Sequence, residues 1–162
     1  MSFIRVKKIN GNEYAYLVEN KWYKRGFKGK GKGPRQKVGK YLGKAYYFNK
    51  GQDIDFFAFK KIENLEEYLK NNAREKVIRE LVEWEVFRHN IDKSQFMIDL
   101  DNKKIMTNNK EVSLKMNEGF LNSFTLSRLF NMRSNEGYYL AKCFVEAGIE
   151  IPKEVFAGLF GR

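Results

Sequence analysis

A cluster of cations between Lys21 and Gln52 is the stretch of this sequence whose residue types are most distinctive. It holds eleven Lys and Arg residues and no Asp or Glu, an excess equal to the formal net charge of +11 for the whole 162-residue chain. Its centre alternates Lys and Gly from Lys28 to Gly33. Such a segment cannot bury apolar surface and loses much entropy when it becomes ordered. The pattern favours contact with a polyanion, above all with the phosphates of a nucleic acid.

Aromatic residues are interleaved with these cations and offer a second kind of contact, stacking on unpaired bases. The alternative is that they pack the protein's own sheet. Lys outnumbers Arg, which favours point-charge contact with phosphates over paired hydrogen bonds to base edges. The predicted nucleic-acid-binding residues are the basic cluster and four aromatic side chains within it: Lys21, Lys24, Arg25, Lys28, Lys30, Lys32, Arg35, Lys37, Lys40, Lys44, Trp22, Tyr23, Phe27 and Tyr41.

Other chemistries fit the sequence less well. The Gly29, Gly31 and Gly33 series lacks the spacing of a P-loop, and a predicted strand follows it instead of a helix. Four acids, Asp99, Asp101, Glu111 and Glu118, could suggest a two-metal nuclease site. Asp99 and Asp101, however, have ordinary strand and turn roles, which is the simpler interpretation.

The single histidine and the single cysteine also favour structural roles. His89 is expected as a cation at a helix end, and Cys143 as an inert thiol among apolar neighbours. One His and one Cys cannot form a conventional structural zinc site. We therefore predict no catalytic residue, no metal site and no cofactor, and a protein that is not an enzyme.

The N-terminal third alternates as strands do. Residues 2–9 and 13–22 flank Asn10-Gly11, a strong hairpin signal because both residues tolerate positive φ. A third strand is predicted at 35–42, with Gln36, Val38, Lys40 and Leu42 on one face and Arg35, Lys37 and Tyr41 on the other. Gly43 is expected to turn the chain into a short fourth strand at 45–48. The basic Gly/Lys loop then lies at the second turn of an antiparallel meander, whose sheet we expect to be half buried.

The segments IRVKKINGNEYAYLVE and PRQKVGKYLGK resemble the N-terminal part of certain insertion-sequence transposases. The resemblance covers about residues 3–44, and in that family the segment is presumed to help hold DNA. The Gly/Lys insertion is longer than the family's turn. The residues after Lys44 are also too few for the family's catalytic domain. The resemblance therefore implies a DNA-binding element without nuclease chemistry.

The rest of the chain combines helices with a β-hairpin. The apolar run at 53–59 predicts one more strand. Asn64 is expected to cap a helix that continues to about His89, because apolar residues recur at spacings of three and four from Leu65 to Trp84. Strands with turns at Asp101-Asn102 and Asn108-Asn109 are predicted between Phe96 and Met116. Three helices follow, at 119–130, at 136–147 after a cap at Ser134 or Asn135, and at 152–160.

These elements predict an α+β fold: an N-terminal antiparallel β meander with a basic Gly/Lys loop, a long central helix, a β-hairpin and a C-terminal helical cluster. We divide it into a basic β unit at 1–60 and an α+β helical unit at 61–162, with one continuous domain as the alternative. The predicted function is non-catalytic nucleic-acid binding, with DNA favoured over RNA. The alternatives are a ribosome-associated or other RNA-binding protein, and a protein-interaction module or self-association surface formed by the C-terminal helices.

The predicted location is the cytoplasm, without membrane contact. The N-terminus lacks the continuous apolar core of a signal peptide, and no run approaches the length of a membrane span. One cysteine in the whole chain fits a reducing compartment. The last residues, VFAGLFGR, are apolar and either join the core or contact another protein.

Overall fold

A computed structural model describes residues 2–23, 33–132 and 136–161 of the chain. Over these residues the fold is α+β, as predicted, with seven strands and six helices. The strands are β1 (Ser2–Ile9), β2 (Asn12–Tyr23), β3 (Gly33–Tyr47), β4 (Met97–Asp99), β5 (Lys104–Thr107), β6 (Lys110–Met116) and β7 (Gly119–Leu121). The helices are α1 (Phe56–Lys60), α2 (Leu65–Asn71), α3 (Arg74–Arg88), α4 (Ser123–Phe130), α5 (Gly137–Glu146) and α6 (Lys153–Phe160).

The strands form one mixed sheet in the order β1-β2-β3-β6-β5-β4, with β7 paired to β6. The pairs β1–β2 and β2–β3 are antiparallel and form the predicted N-terminal meander. The end of β3 pairs in parallel with β6. The sheet is therefore continuous between the two predicted units, although the division at residue 60 stays a prediction.

The β1–β2 hairpin forms as its turn residues predict. Asn10 and Gly11 have φ values of 50° and 82°, and Ile9 is paired with Asn12 across the two-residue turn. Positive φ at both turn positions matches the twist of the flanking strands. A two-residue turn fixes which residues lie opposite each other along the whole hairpin.

The third strand differs from the prediction at Gly43. Gly43 does not turn the chain, and the predicted strands at 35–42 and 45–48 are one strand, β3. Gly43 has a φ of +94°, and a Cβ atom there would lie 2.2 Å from the backbone oxygen of Glu111. A residue without a side chain is needed at this point because β6 passes so close. The glycine lets β3 leave β2 and pair with β6.

The segment predicted as a strand at 53–59 is also different, because it ends in the short helix α1. The Asp55 carboxylate accepts a hydrogen bond of 2.7 Å from the backbone N–H of Ala58, which caps the helix. The compact run of aromatic residues after Asp55 suits a buried helix as well as a strand. Phe56 is fully buried against Trp84.

The helix predicted from Asn64 to about His89 is two helices. Asn64 caps α2 as predicted, by accepting a hydrogen bond from the backbone N–H of Glu67. The chain is extended at Asn72 and Ala73, and Ala73 then forms the N-terminal boundary of α3. Within the predicted apolar stripe, Val77 and Leu81 are fully buried in α3.

The C-terminal elements follow the predicted order with one correction. The helix predicted at 119–130 begins only at Ser123, because residues 119–121 form β7. Asn122 caps α4 through a hydrogen bond from the backbone N–H of Thr125. Gly148, with a φ of +76°, follows α5 as predicted, and Pro152 directly precedes α6. The predicted caps Ser134 and Asn135 lie outside the described residues.

The hydrophobic core lies between the C-terminal part of the sheet and the helices, and it extends from Phe56 to Val155. The apolar C-terminus packs against this core, with Val155 fully buried and Phe160 partly buried. Far fewer buried side chains lie in β1 and β2, where Ala15 and Val18 are the buried apolar residues among those described. This agrees with the prediction of a half-buried meander. None of the helices in the described ranges has the length and apolar character needed to cross a membrane.

Candidate nucleic-acid interface

One face of the meander combines tyrosines with cations. Residues directly opposite in paired strands point to the same side of a sheet. The register pairs Arg5 with Tyr16 and Lys7 with Tyr14 across β1–β2, and pairs Tyr16 with Tyr41 and Tyr14 with Lys44 across β2–β3. We call this surface the tyrosine face, and it comprises Arg5, Lys7, Tyr14, Tyr16, Tyr41 and Lys44.

Tyr41 lies at the centre of the tyrosine face. Its ring centroid is 5.2 Å from that of Tyr16, edge to face, and 6.3 Å from that of Tyr14. Burial raises the pKa of Tyr41, and the neighbouring phenols of Tyr16, Tyr14 and Tyr46 raise it further. Even so, 47% of Tyr41 is exposed. The rings therefore hold one another in place while Tyr41 remains accessible to a ligand.

The charges on the tyrosine face are all positive. The Lys7 ammonium lies 5.2 Å from the centroid of the Tyr16 ring, and the Lys44 ammonium 5.3 Å from that of Tyr46. The Arg5 guanidinium donates a hydrogen bond to the side chain of Gln36. Among the described residues, no carboxylate lies within 4.0 Å of the charged nitrogens of Arg5, Lys7 or Lys44.

The acids of the meander lie on the opposite face. The register pairs Glu13 with Lys8 and Glu19 with Lys37. Both acids are an odd number of residues away from Tyr14, Tyr16 and Val18 along β2. Because successive side chains of a strand point to opposite faces, the acids lie on the other side of the sheet. The two faces therefore differ in charge. One carries the two glutamates, each opposite a lysine of the neighbouring strand, and the other carries cations and phenols.

A cavity of about 280 Å³ adjoins the tyrosine face where the meander meets the β5–β6 turn. Tyr14, Tyr41 and Tyr46 are among the residues that line it, together with Lys44 from β3. Residues of β5, β6 and the turn between them complete the lining. Tyr46 is anchored below by an edge-to-face contact with Phe96, with 5.1 Å between the ring centroids.

The structure describes only some of the predicted nucleic-acid-binding residues. Lys44 and Tyr41 lie on the tyrosine face, and Lys40 is exposed at the irregular middle of β3. Lys21, Trp22 and Tyr23 belong to the end of β2, which is paired with the start of β3, but their side chains lie outside the described structure. The predicted residues that lie entirely outside the described range are Lys24, Arg25, Phe27, Lys28, Lys30 and Lys32.

Tyr41 was predicted on the same face as Arg35 and Lys37, and this is wrong. Val38 is paired with Val18, but Tyr41 is paired with Tyr16, so β3 has one residue more than β2 over this interval. Such a bulge reverses the alternation beyond it. Arg35 and Lys37 consequently lie on the face that carries Glu19, and Tyr41 lies with Tyr14 and Tyr16.

Arg5, Lys7, Tyr14 and Tyr16 were not among the predicted site residues. The signal that could have found them is the Asn10-Gly11 turn. A two-residue turn pairs Ile9 with Asn12, and counting back along both strands brings Lys7 opposite Tyr14 and Arg5 opposite Tyr16. The sequence thus contains the register of this part of the face.

Asp99, Asp101, the histidine and the cysteine were considered for catalysis, and each has contacts or burial typical of a structural residue. Asp99 accepts hydrogen bonds from the backbone and side chain of Asn102, and Asp101 pairs with Arg79 at 2.7 Å. His89 is buried at the end of α3, 2.9 Å from the backbone oxygen of Glu85. Burial raises the pKa of the Cys143 thiol. Within the described part of the chain, no group of three or more His, Cys, Asp or Glu residues could hold a metal ion.

Comparison of the chain with protein families, with curated proteins and with solved structures finds no match.

Tyr47 lies on the face of the sheet that carries Glu13, and it provides a test of the assignment of residues to the two faces. Burial and a hydrogen bond with Glu13 raise the pKa of Tyr47 to about 12. Because the folded-state pKa lies above the unfolded value, its contribution to stability is complete below about pH 10 and is lost as the pH rises towards 12. We expect Glu13→Gln to lower the pKa of Tyr47 and to leave that of Tyr41 unchanged, as measured by NMR titration of the tyrosine ring carbons. An equal shift in both would contradict the assignment of Glu13 and Tyr41 to opposite faces.

Proposed function

We propose that this protein binds nucleic acid without catalysis, and that DNA is its ligand. The observation that carries the proposal is the charge separation along the chain: residues 21–52 hold eleven cations and no acid. The remainder of the chain is neutral. Neutralising phosphates releases condensed counterions, so a concentrated set of cations gives affinity for any nucleic-acid backbone.

The arrangement of the strands supports the proposal. Tyr23 at the end of β2 is paired with Gly33 at the start of β3, and residues 24–32 join these two strand ends. Their five cations are therefore attached to one end of the β2–β3 pair, and Arg5, Lys7 and Lys44 lie further along the same sheet on the tyrosine face. The likeness of residues 3–44 to a transposase segment that holds DNA favours DNA over RNA. The single cysteine favours a reducing compartment such as the cytoplasm.

The test is a charge-matched pair of variants. In the first, Lys24, Arg25, Lys28, Lys30 and Lys32 are all replaced by Gln. The control replaces five exposed lysines outside the cluster, Lys61, Lys70, Lys76, Lys93 and Lys153, and so has the same net charge. We expect the first variant to lose about four to five units of slope in a plot of log affinity for duplex DNA against log salt, at about 0.9 per phosphate contact. The control should lose little. Equal effects in the two variants would show that net charge alone is responsible.

RNA is the second candidate, and exposed tyrosine rings are the observation that favours it. Proteins that recognise RNA by sequence mostly stack aromatic side chains on the unpaired bases of loops and bulges. The exposed fraction of Tyr41 and the cavity beside it would suit such a base. Folded RNA is therefore a necessary ligand, beside DNA, in a binding measurement.

A protein-interaction surface is the third candidate, and it involves the C-terminal helices. A cavity of about 310 Å³ beside α5 is lined mainly by Phe144, Val145, Ile149 and Ile151. Val145 is 55% exposed and Tyr138 in the same helix is 80% exposed. An exposed apolar surface of this kind can contact a partner. This candidate takes precedence if the chain binds no nucleic acid.

A further inference from the structure

The tyrosine face differs from the basic cluster because it combines cations with aromatic rings in mutual contact. Tyr14, Tyr16 and Tyr41 pack against one another on it, and 47% of Tyr41 is exposed. Contact with phosphates alone needs only the cations. Proteins that bind single-stranded nucleic acid without sequence preference combine a cationic surface with aromatic side chains on which bases stack. The tyrosine face therefore has both components that a single strand requires.

We propose that the tyrosine face binds single-stranded nucleic acid and that it does so without regard to base sequence. The inference rests on the proposed function, because it assumes that the ligand is a nucleic acid. It adds a second binding site, formed by residues of β1, β2 and β3, and it states which form of nucleic acid that site takes.

An apolar row extends the surface beside the tyrosine face. Phe3 is opposite Val18, and Val18 is opposite Val38, which is 44% exposed. From Phe3 to Lys7 the surface spans four residues of β1, or about 13 Å at 3.3 Å per residue. That length corresponds to about four nucleotides at 3.4 Å each, which is the lower end of the site sizes of single-strand-binding modules.

Tyr41 is positioned to stack on an unpaired base. Its ring is held by the edge-to-face contact with Tyr16 and by the contact with Tyr14. A ring that is already in place loses little conformational freedom when a base stacks on it. Bases within a duplex are paired and stacked on one another, so Tyr41 can contribute to the binding of a single strand but not of a duplex. Stacking tolerates every base, so no sequence preference follows from it.

The cations of the tyrosine face supply contacts to the backbone of the strand. Lys7 and Lys44 are both opposite Tyr14, one on each neighbouring strand, and Arg5 is opposite Tyr16. None of the described residues that the register places on this face of β1, β2 or β3 is an Asp or Glu. Phosphates on either side of a stacked base would therefore meet positive charge without a nearby carboxylate to repel them.

The test measures binding of the full chain to three fluorescently labelled ligands: oligodeoxythymidine of about 12 nucleotides, a mixed-sequence strand of the same length and the duplex of that strand. The wild type should bind the two strands within about threefold of each other. We expect Tyr41→Ala to weaken binding of both strands about tenfold, as is usual for the loss of one stacking ring, and to leave duplex binding unchanged. Tyr41→Phe keeps the ring and should bind like the wild type. The matched control is Tyr47→Ala, at a tyrosine of the same strand that is 54% exposed on the opposite face, and it should change neither.

Lys7 and Lys8 provide a second matched pair, because neighbours on β1 point to opposite faces of the sheet. Lys7→Gln should lower the slope of log affinity against log salt for a single strand by about 0.7, the value for one phosphate contact. Lys8→Gln has the same net charge and should lower that slope by less than half as much. This pair keeps the inference testable if Tyr41→Ala does not fold.

The outcomes distinguish the two proposals. Normal strand binding by Tyr41→Ala would overturn the inference, as would an equal loss of strand and duplex binding, an equal loss in Tyr47→Ala, or equal slopes for the two lysine variants. A wild type that prefers one strand tenfold would contradict binding without regard to sequence. Duplex binding that weakens with salt would in those cases leave the proposed function intact. Failure of all three ligands to bind at low salt would overturn both proposals. Urea unfolding of each variant establishes that it remains folded.

Discussion

Replacing Glu85 with Ala is expected to lower the free energy of unfolding by about 3–5 kcal/mol, the usual cost of removing one partner of a buried ion pair. Glu85 is fully buried, and Arg88 is 5% exposed. The Arg88 guanidinium donates a hydrogen bond of 2.5 Å to Glu85 and one of 2.9 Å to Glu150, and it lies 3.8 Å from the centroid of the Trp84 ring. Its Nε already has no hydrogen-bond partner.

Glu85 also joins α3 to the segment that follows α5. It accepts hydrogen bonds from the backbone N–H of Glu150 at 3.0 Å and from the side chain of Asn117 at 3.2 Å. Burial raises the pKa of Glu150, but hydrogen bonds from Arg88 and Lys50 outweigh it and leave that pKa lowered. Without Glu85, Arg88 would depend on Glu150 alone, which is half exposed.

Urea unfolding measures the effect, with Glu66→Ala as the control. Glu66 is an exposed acid in the first turn of α2, where its interaction with the helix dipole contributes about 0.3–1 kcal/mol. Glu85→Gln, which keeps the shape and some of the hydrogen bonds, should fall between the two. A loss for Glu85→Ala no larger than that for Glu66→Ala would contradict the structural role assigned to the Glu85–Arg88 pair.

The second large effect is expected at Gly43. We predict that Gly43→Ala costs about 2–4 kcal/mol, because two effects add. The positive φ of +94° is strained for a residue with a side chain, and the new Cβ would lie 2.2 Å from the Glu111 backbone oxygen and 2.7 Å from the Val112 Cα. The neighbouring atoms belong to the backbone of β6, so no rotamer change can relieve the contact.

Gly11→Ala is the matched control. Gly11 also has a positive φ, +82°, but a Cβ there would meet nothing within 4 Å. It therefore measures the backbone strain alone, about 1–2 kcal/mol. The difference between the two unfolding energies isolates the close approach of β3 to β6. If the two substitutions cost the same, the close packing of these strands is not what Gly43 is needed for.

The parts of the fold that sequence reasoning found are those with local causes. Asn10-Gly11 makes its own turn, Asn64 caps its own helix, and Gly148 and Pro152 mark helix ends next to themselves. The pairing of Arg5 with Tyr16 and of Lys7 with Tyr14 follows from the same turn, so four of the six residues of the tyrosine face could have been derived. These features need no knowledge of what packs against them.

The features that sequence reasoning missed depend on residues that are far away along the chain. Gly43 looks like a turn residue, but its role is set by β6, far along the chain. The bulge that moves Tyr41 to the tyrosine face has no clear local signal in the sequence. The segment at 53–59 could form a strand or a helix by its own pattern, and Asp55 as a cap decided between them. The cavity beside Tyr41 could not be predicted, since residues of β5 and β6 border it only through the β3–β6 pairing.

The salt dependence of binding is the measurement that best separates nucleic-acid binding from the alternatives. The full chain is titrated at two salt concentrations against duplex DNA, single-stranded DNA and a folded RNA of equal length. We predict binding to DNA that weakens steeply with salt, with a slope of about −4.5 or more negative if at least five phosphates are neutralised. A clear preference for folded RNA would replace DNA by RNA as the ligand. Failure to bind any of the three at low salt would contradict nucleic-acid binding and direct attention to the apolar surface of α5.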